Sequence, residues 1–440
     1  MKRSLNGWLT YIGSISDKAM DLGLSRVKSA GAILDVLKLP SRVITVTGTN
    51  GKGSTTWYLG AVLERLGYTV DIYNSPHLLR FNERILIRGH EVADDVLTDA
   101  FEKTDEAMRK AGVALTFFEF TTLAALLIFK NDAPDFVILE IGLGGRLDAT
   151  NAVDSDAGIV VSIGLDHTGI LGNTVEDIAY EKSCIYRKNH PAVCSQENPP
   201  KTLLENSAVI GAKLLVAGRN FRCGSSGGDP DVTEQLLDAA GGGSDEGTWF
   251  FRMEDTDFED LPLPSFPYMN AAGALACLSA MGIRVTRDAA AEACRSVRLP
   301  GRLEVYSEKP RIIFDVSHNP PAVMRLRKHL EKLSAREHFT RVFAVCGILH
   351  DKDYGTVLRE MDDLIDVWYL ADLTGPRAAK ASDLAPELPE SSETHLFRDP
   401  ATAWCAARAA QGESDLLVVF GSFLTVAAVR EFLESEESKR

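Results

Sequence analysis

The sequence predicts an α/β protein with two domains, each built on a parallel sheet covered by helices. Short apolar runs rich in β-branched residues alternate with amphipathic helical runs along most of the chain, and such alternation is typical of parallel sheets. The helical pattern that starts at Thr286 stops near Leu299-Pro300-Gly301, and the alternation restarts after it. We therefore expect one domain over residues 1–298 and a smaller, Rossmann-like α/β domain over residues 299–440.

Ten runs read as strands, six in the first domain and four in the second. The first six are Val43–Thr47, Thr69–Ile72, Phe136–Ile141, Gly158–Ile163, Pro191–Cys194 and Lys213–Val216. The other four are Arg311–Val316, Arg341–Cys346, Asp366–Ala371 and Leu416–Phe420.

Helical patterns lie between several of these strands and cover Thr55–Leu66 and Val92–Ala111. The span Val113–Phe129 is expected to be a buried helix, because it is too short and too polar to cross a membrane. The glycine-rich segment 223–248 is expected to be an exposed loop or a partly disordered insertion.

Composition narrows the class of partner. The formal net charge of −15 argues against broad binding of nucleic acid or of an anionic membrane surface. The seven cysteines are scattered, with no CxxC pair, which indicates a reducing compartment rather than a disulfide framework or a zinc site. The N-terminal MKRSLNGWLT lacks the apolar core of a signal peptide. We expect a cytoplasmic protein with small-molecule ligands.

The segment GTNGKGS, residues 48–54, follows the first predicted strand and precedes a predicted helix. Glycines let backbone N–H groups approach phosphate oxygens, and the positive end of a helix favours an anion there. Lys52 can neutralise phosphate charge, and Ser54 or Thr55 can face a magnesium ion. The spelling departs from the common phosphate loop, since Val46 stands where its first glycine would be and Gly53 separates Lys52 from Ser54. A flexible turn without a ligand is the alternative, but the strand–turn–helix setting favours a nucleotide site.

Ten motifs in order carry a resemblance over nearly the whole chain. They are GTNGKGS, NSPHLLRFNERI, TFFEFTTLAAL, LEIGLGGRLDATN, IGLDHTGILG, AYEKSCIYR, NAAGALA, LPGRLEV, FDVSHNP and GILHDKDY. Together they resemble the folylpolyglutamate synthase/dihydrofolate synthase family of the Mur-ligase-like ATP-dependent amide ligases. The DLGLSRV and TFFEF segments look most like those of the bacterial bifunctional enzymes. In that family the shortened loop is the normal spelling, so the first domain is expected to be a phosphate-loop ATPase domain.

The resemblance implies an ATP site and a magnesium site. ATP is expected to contact Thr49, Asn50, Gly51, Lys52, Gly53 and Ser54 of the loop, Asn270 at the adenine, Arg302 at the phosphates and Asp315 at the ribose. Magnesium is expected on Ser75, Glu140 and His167; a monovalent cation is a further candidate cofactor. Glu140 ends the apolar run FVILE, and a carboxylate at that end of a parallel strand points toward the ligand crevice. His77 is expected only to orient the SPH turn.

Lys52, His167 and Lys182 are the expected catalytic residues. By default Lys182, beside Glu181, is a solvated or paired side chain. In the family the matching lysine is carbamylated, which turns a cation into an anion that assists the metal site. A partly buried lysine with a lowered pKa would be neutral often enough to react with carbon dioxide.

The folate substrate is expected to contact two segments, Thr116-Phe117-Phe118 and Leu147-Asp148-Ala149. Aromatic faces beside a carboxylate suit a flat heterocycle with amino groups. The same phenylalanines could be core, and we expect one of the two to be so. Phe117 departs from the family, where tyrosine is frequent at its position.

The resemblance implies a ligase that joins L-glutamate to dihydropteroate and to reduced folates through an acyl phosphate, with the C-terminal domain completing the ATP site and binding glutamate. A monomer is expected. One alternative is a folylpolyglutamate synthase without the dihydrofolate synthase activity, and another is a nucleotide-dependent binding module without catalysis. A peptidoglycan-precursor ligase is disfavoured, because only about 40 residues precede the phosphate loop, too few for its additional N-terminal domain.

Overall fold

The structure, a computed structural model, describes residues 3–16, 21–226 and 247–438 of the chain. The chain contacts divide it into two compact units. The first unit comprises Met1–Ser226, Thr248–Pro262 and Tyr268–Val297, and the second is built mainly on Arg298–Arg440. None of the seven cysteines forms a disulfide. Across the described residues, no helix has both the length and the apolar character that crossing a bilayer requires.

The first unit contains ten described helices and eleven described strands. The helices are α1 (Leu5–Ser14), α2 (Ser25–Leu34), α3 (Lys52–Arg65), α4 (Asp94–Ala111), α5 (Phe117–Asp132), α6 (Thr168–Leu171), α7 (Val175–Ser183), α8 (Lys201–Ile210), α9 (Tyr268–Ala280) and α10 (Arg287–Ser296). The strands are β1 (Arg42–Thr47), β2 (Val70–Tyr73), β3 (Ile85–Ile87), β4 (His90–Glu91), β5 (Phe136–Glu140), β6 (Ala157–Val160), β7 (Pro191–Cys194), β8 (Lys213–Val216), β9 (Arg222–Ser225), β10 (Thr248–Met253) and β11 (Thr256–Pro262).

Eight of these strands form the main sheet, in the order β4-β3-β2-β5-β1-β6-β7-β8. Along this order, each strand from β2 through β5, β1, β6 and β7 to β8 is parallel to the next, as the alternation predicts. At one edge, β3 and β4 add an antiparallel hairpin. Since parallel strands end at the same edge of a sheet, the loops that follow β2, β5, β1 and β6 lie side by side. Those four loops hold most of the predicted site.

Helices cover both faces of this sheet. Ile72 and Tyr73 are adjacent on β2 and therefore point to opposite faces. A methyl group added at Gly60 of α3 would lie 2.6 Å from Ile72 Cδ1, so α3 lies on the Ile72 face. Tyr73 instead belongs to the buried cluster of the other face, with Phe120 and Leu123 of α5. The span predicted as a buried helix is therefore core, and α5 packs beneath the sheet.

The segment 223–248 is not a loop throughout, so this prediction is wrong at its ends. β9 and β10 pair antiparallel and, with β11, form a separate three-stranded sheet. Aromatic packing gives the physical reason: a side chain on Gly224 would lie 2.9 Å from the Phe250 ring, so the glycine leaves room for that ring on the neighbouring strand. Residues 227–246 lie outside the described part of the chain.

The second unit is a six-stranded sheet with helices. The strands are β12 (Glu304–Glu308), β13 (Arg311–Phe314), β14 (Val342–Cys346), β15 (Val367–Ala371), β16 (Glu393–Phe397) and β17 (Leu416–Phe420), in the order β12-β13-β17-β14-β15-β16. The helices are α11 (Pro320–Arg336), α12 (Tyr354–Arg359), α13 (Ala381–Leu384), α14 (Pro400–Ala410) and α15 (Phe423–Glu437). Only β12 runs antiparallel to its neighbour. This is the parallel α/β architecture that the sequence predicts.

Candidate active site

The phosphate-loop candidate joins β1 to α3. The helix begins at Lys52, three residues before its predicted start, so the lysine lies in the first turn and the loop itself is short. Gly51 precedes the helix with φ of 87°, a left-handed conformation that side chains other than glycine rarely adopt. A methyl group at Gly51 would also lie 2.7 Å from the Asn270 amide nitrogen. Both facts require glycine at this position.

Reciprocal hydrogen bonds hold the loop against the segment that follows β6. Asn50 N donates to Ser162 Oγ at 3.0 Å, and Ser162 Oγ donates to the Asn50 carbonyl at 2.9 Å. Gly164 N donates to Thr49 Oγ1 at 3.0 Å, and this hydroxyl donates to the Gly164 carbonyl at 3.1 Å. Ser162 was not predicted as a site residue; its only signal is a hydroxyl just after an apolar strand. The loop is thus fixed at Thr49 and Asn50, just before the left-handed Gly51.

Two further contacts involve the first turn of α3. The Lys52 ammonium donates to the Gly48 carbonyl at 3.0 Å. The amide of Asn270, near the start of α9, donates to Ser54 Oγ at 2.8 Å and is buried. Asn270 therefore lies against the phosphate loop, next to the backbone that would contact a nucleotide.

Glu140 ends β5 beside that loop. Its side chain is buried, and its Oε2 accepts a hydrogen bond from Ser75 N at 3.0 Å. A methyl group at Gly53 would lie 3.9 Å from the same oxygen, so the carboxylate faces the phosphate loop. A buried carboxylate beside Ser75 and the phosphate loop offers the hard oxygen donor that magnesium prefers. These residues fit a divalent cation.

His167 lies in the loop after β6 and has a left-handed backbone, φ 50°. Its N–H donates to Asp166 Oδ1 at 2.8 Å, and its side chain is 26% exposed. Among the described residues, no group of three or more His, Cys, Asp and Glu side chains is arranged to hold a metal. The predicted set has only two such residues, Glu140 and His167, and magnesium commonly takes its remaining ligands from phosphate and water.

Lys182 is buried on α7, with 3% of its surface exposed. Burial, together with the positive charge of Lys52, lowers the pKa of Lys182 to about 7. The glycine-rich loop after β5 packs directly on this turn of α7, because a methyl group at Gly145 would lie 2.5 Å from the Glu181 carbonyl oxygen. The neighbouring carboxylate of Glu181 accepts hydrogen bonds from Arg146 at 2.8 Å. Lys182 is therefore not the solvated, carboxylate-paired side chain of the default interpretation.

The predicted folate residues of the TFF segment form the start of α5. Thr116 is the N-cap, and Phe117 and Phe118 are both half-buried, so neither is a fully buried core residue. Phe118 packs between Tyr73, at a ring-centroid distance of 6.0 Å, and the backbone of Gly142. Phe117 meets Phe81 edge-on at 6.1 Å. Each ring keeps part of its surface available to a ligand.

The Leu147-Asp148-Ala149 segment forms a tight turn. Asp148 is buried, and its carboxylate accepts from Leu143 N at 2.9 Å and from Thr150 N at 3.0 Å. Burial raises the pKa of Asp148, and the hydrogen bonds from Thr150 and Leu143 oppose that shift. Because both carboxylate oxygens serve this turn, Asp148 orders the segment, and Leu147 is the more exposed side chain of the three.

Arg84 is a charged residue of this region that was not predicted as a site residue. Its Nε donates to His77 Nδ1 at 2.7 Å, and burial and the charge of Arg84 lower the pKa of His77 to about 4. Burial lowers the pKa of Arg84 itself, whereas Tyr73 and Glu140 oppose that shift. His77 is thus a neutral acceptor that orients an arginine near Glu140, beyond its predicted role in the turn. A lone Arg–His pair seven residues apart gives no recognisable sequence signal.

In the second unit, Asp315 organises the turn that carries Arg302. Its carboxylate accepts from Leu303 N and from Ser317 N, both at 2.8 Å, and is buried. The Arg302 guanidinium lies 4.7 Å from the centroid of the Phe423 ring, a cation–π contact. The two predicted residues are therefore neighbours.

Both halves of the chain match known domains. Residues 46–223 match the Mur ligase middle domain, and residues 301–423 match the Mur ligase glutamate ligase domain. With the phosphate loop and the parallel sheets, these matches define the protein as a Mur-type ATP-dependent ligase.

Similar proteins narrow this class. The chain is 41% identical to the dihydrofolate synthase/folylpolyglutamate synthase of Escherichia coli, covering 99% of this chain and 96% of that protein. It is 36% identical to the protein of the same description from Haemophilus influenzae, covering 96% and 95% of the two chains. The chain belongs to the dihydrofolate synthase/folylpolyglutamate synthase family.

Solved structures agree with this assignment. E. coli FolC in complex with DHPP and ADP matches with a TM-score of 0.89 at 40% identity, covering 99% of this chain and 98% of that one. The bifunctional folylpolyglutamate synthase/dihydrofolate synthase of Yersinia pestis complexed with AMPPNP and a Mn ion matches with a TM-score of 0.86 at 38% identity, covering 98% of each chain. The two-unit α/β fold predicted from the sequence is confirmed.

Proposed function

We propose that the protein is an ATP-dependent ligase that joins L-glutamate to dihydropteroate, giving dihydrofolate, and to reduced folates, giving folylpolyglutamates. The observation that carries this proposal is the meeting of the phosphate loop, the Glu140 carboxylate and the buried Lys182 at one edge of the main sheet. The full-length similarity to bifunctional relatives supports it.

The reaction has two steps. The substrate carboxylate attacks the γ-phosphorus of ATP, which breaks the bond to the ADP oxygen and leaves an acyl phosphate and ADP. The amino nitrogen of glutamate then attacks the acyl carbon, loses a proton, and the tetrahedral intermediate expels phosphate. Positioning and charge neutralisation supply most of the catalysis in phosphoryl transfer. The loop N–H groups and Lys52 would position the phosphates and neutralise their charge. Thr49, Asn50, Gly53 and Ser54 would shape the loop.

Ser75, Glu140 and His167 would hold a magnesium ion, which when bound neutralises charge on the phosphate oxygens. Two solved relatives with AMPPNP bound also hold manganese, and the buried carboxylate of Glu140 is a hard oxygen donor that suits magnesium equally well. A monovalent cation is a further candidate. Glu140 Oε2 already accepts from Ser75 N, so this carboxylate is oriented within the protein rather than by the ion.

Lys182 would carry a carbamate. Its neutral amine attacks carbon dioxide, a C–N bond forms, and one proton is released, so the side chain changes from cation to anion. The lowered pKa of Lys182, about 7, supplies the neutral amine at physiological pH. An anion there would also relieve its repulsion with Lys52.

The folate ring would lie against Phe117 and Phe118 and beside the Leu147-Asp148-Ala149 turn, with Thr116 holding the start of α5. Asn270, Arg302 and Asp315 would contact the nucleotide, and the C-terminal domain, residues 299–440, would bind glutamate. We propose a cytoplasmic monomer; free cysteines are typical of the reducing cytosol.

The test is incubation of the pure protein with ATP, magnesium, glutamate and either dihydropteroate or tetrahydrofolate, followed by mass spectrometry of the products. Added glutamate on both substrates supports the full proposal. Addition to tetrahydrofolate alone would identify a folylpolyglutamate synthase without the dihydrofolate synthase activity. Nucleotide binding without any ligated product would identify a binding module. Lys52→Ala protein serves as the control for contaminating activity.

A further inference from the structure

Arg26, near the start of α2, bridges two segments that are far apart in the sequence. Its Nη2 donates to Glu119 Oε1 at 2.8 Å and its Nε to both Glu119 oxygens, at 3.2 and 3.3 Å. On its other side, Nη1 donates to Asp21 Oδ2 at 3.0 Å and Nη2 to the Asp21 carbonyl. One guanidinium therefore joins the chain before α2 to the first turn of α5.

Glu119 is the residue that closes the helix cap next to the phenylalanines. Its Oε2 accepts from Thr116 N at 2.7 Å, while Glu119 N donates to Thr116 Oγ1 at 3.3 Å, which is a capping box. The Glu119 side chain is only 6% exposed. A buried carboxylate needs a charged partner, and Arg26 supplies one. Phe117 and Phe118 occupy the first turn that this box defines.

The start of α2 has no comparable cap. Leu24 is its N-cap residue, and no side chain there bonds to the first turn. Asp21, in the chain before α2, accepts hydrogen bonds from Arg26 through both its carboxylate and its carbonyl oxygen. The approach to α2 and the start of α5 are thus positioned through the same side chain.

We propose that Arg26 is a positioning residue for the folate substrate, which fixes the first turn of α5, and with it Phe117 and Phe118, relative to the chain at Asp21. The proposal rests on the proposed function, since it assumes that these phenylalanines contact folate. Arg26 acts through Glu119 and Thr116, not by touching ATP. Its loss is expected to weaken folate binding selectively.

The chain offers a matched control between the same two helices. Lys130, in the last turn of α5, pairs with Asp35, the C-cap residue of α2, at 2.7 Å. This second ion pair joins the opposite ends of α2 and α5, away from the phenylalanines. If the two ion pairs only stabilised helix packing, their removal would have the same kind of effect.

The experiment measures kcat and the KM values for dihydropteroate and for ATP, with the thermal midpoint, in wild type and in Arg26→Met, Arg26→Lys, Glu119→Gln and Lys130→Met. Glutamine can still close the capping box, so Glu119→Gln removes the ion pair alone. We expect KM for dihydropteroate to rise about tenfold in Arg26→Met and Glu119→Gln. We expect a smaller rise in Arg26→Lys, which keeps the charge but not the planar fork. KM for ATP should stay within about twofold in all variants, and Lys130→Met should leave both KM values unchanged.

The double variant Arg26→Met/Glu119→Gln should be no worse than the poorer single variant, because both remove one interaction. An unchanged KM for dihydropteroate in Arg26→Met or, if that variant does not fold, in Glu119→Gln, would overturn the proposal while leaving the proposed function intact. So would an equal rise in Lys130→Met. Wild-type protein that fails to ligate glutamate would overturn the proposed function and this inference together.

Discussion

The side-chain amide of Asn270 donates a hydrogen bond to the hydroxyl of Ser54 at 2.8 Å, across 216 residues of sequence. Asn270 lies near the start of α9, and Ser54 lies in the first turn of α3. The start of one helix thereby sets the position of the other. The phosphate loop is held by this contact as well as by its own sequence.

Asn270→Ala should raise KM for ATP and lower the free energy of unfolding by about 1 kcal/mol, the usual contribution of one hydrogen bond. The reason is that Ser54 Oγ loses its donor and the adjoining loop becomes less well fixed. Nucleotide titration and denaturant unfolding measure the two effects. An unchanged ATP affinity with reduced stability would show that Asn270 is structural only.

Lys52→Ala should abolish amide formation, because charge on the terminal phosphates is left uncompensated during transfer. The thermal midpoint should stay near that of wild type, since the Lys52 ammonium donates to a loop carbonyl, that of Gly48, and its side chain is not part of the core. Product formation and thermal unfolding are measured together. Turnover near the wild-type rate would contradict the phosphate-loop assignment.

Glu140→Gln keeps the side-chain shape but removes its charge. We expect weaker magnesium binding, so that half-maximal activity needs more magnesium and kcat/KM falls by roughly 100-fold or more. Magnesium titration of both proteins after treatment with a chelator provides the measurement. If neither protein responds to magnesium, Glu140 has no metal role.

Lys182→Ala should be poorly active, and small carboxylic acids in the buffer should partly restore its activity by replacing the carbamate. Mass spectrometry under native conditions should show the added CO₂ in wild type and its loss after acid treatment. Lys130→Ala, a lysine outside the site, is the control for a general effect of the acids. Absence of both the adduct and the rescue would return Lys182 to the role of an ordinary charged residue.

Carbamylation of Lys182 should become slower as the pH falls, because only the neutral amine reacts with carbon dioxide. The native pKa of about 7 means that the amine is mainly neutral above pH 7 and protonated below it, so reactivation by bicarbonate should slow as pH falls from about 8 to about 6.

The lowered pKa of Lys182 should also make stability depend on pH. In the unfolded chain this lysine keeps its proton up to near its ordinary pKa of 10.5. Between these values the unfolded chain binds more protons, so stability should rise with pH in this window relative to Lys182→Met. A flat difference between the two proteins would contradict the lowered pKa.

Apart from β16, the parallel strands of the two sheets could be predicted, because each is a compact apolar run; β16 was missed because its ETHLF run is largely polar and exposed. β7, β8 and β17 have the predicted bounds, and β1 and β5 differ by one residue. The hairpin of β3 and β4 was missed because strands of three and two residues show no periodicity. β9 and β10 were missed for another reason: glycine and serine in that segment signal a loop locally, whereas pairing with the aromatic residues of β10 decides its structure.

The residues of the candidate site also divide into those that the sequence predicts and those that it does not. The phosphate loop and Glu140 stand at the ends of predictable strands, so the sequence indicates them directly. Ser162, Arg84 and Arg26 act through partners distant in the fold or through a single pair of side chains. No short motif encodes such pairs, and only the folded structure brings them together. The placement of ATP, metal and folate on the predicted residues stays a prediction.

The order of the main sheet has a consequence for how activity is lost under stress. β1 lies between β5 and β6, so the phosphate loop and Glu140 follow central strands, whose backbone amides we expect to be among the best protected from solvent exchange. Local opening begins at edges and termini and rarely reaches central strands. The hairpin at one edge and β8 at the other can therefore fray while the loop ends stay in register. A destabilised variant would keep full activity per folded molecule, and its loss of activity would follow the fraction of chains that have unfolded cooperatively.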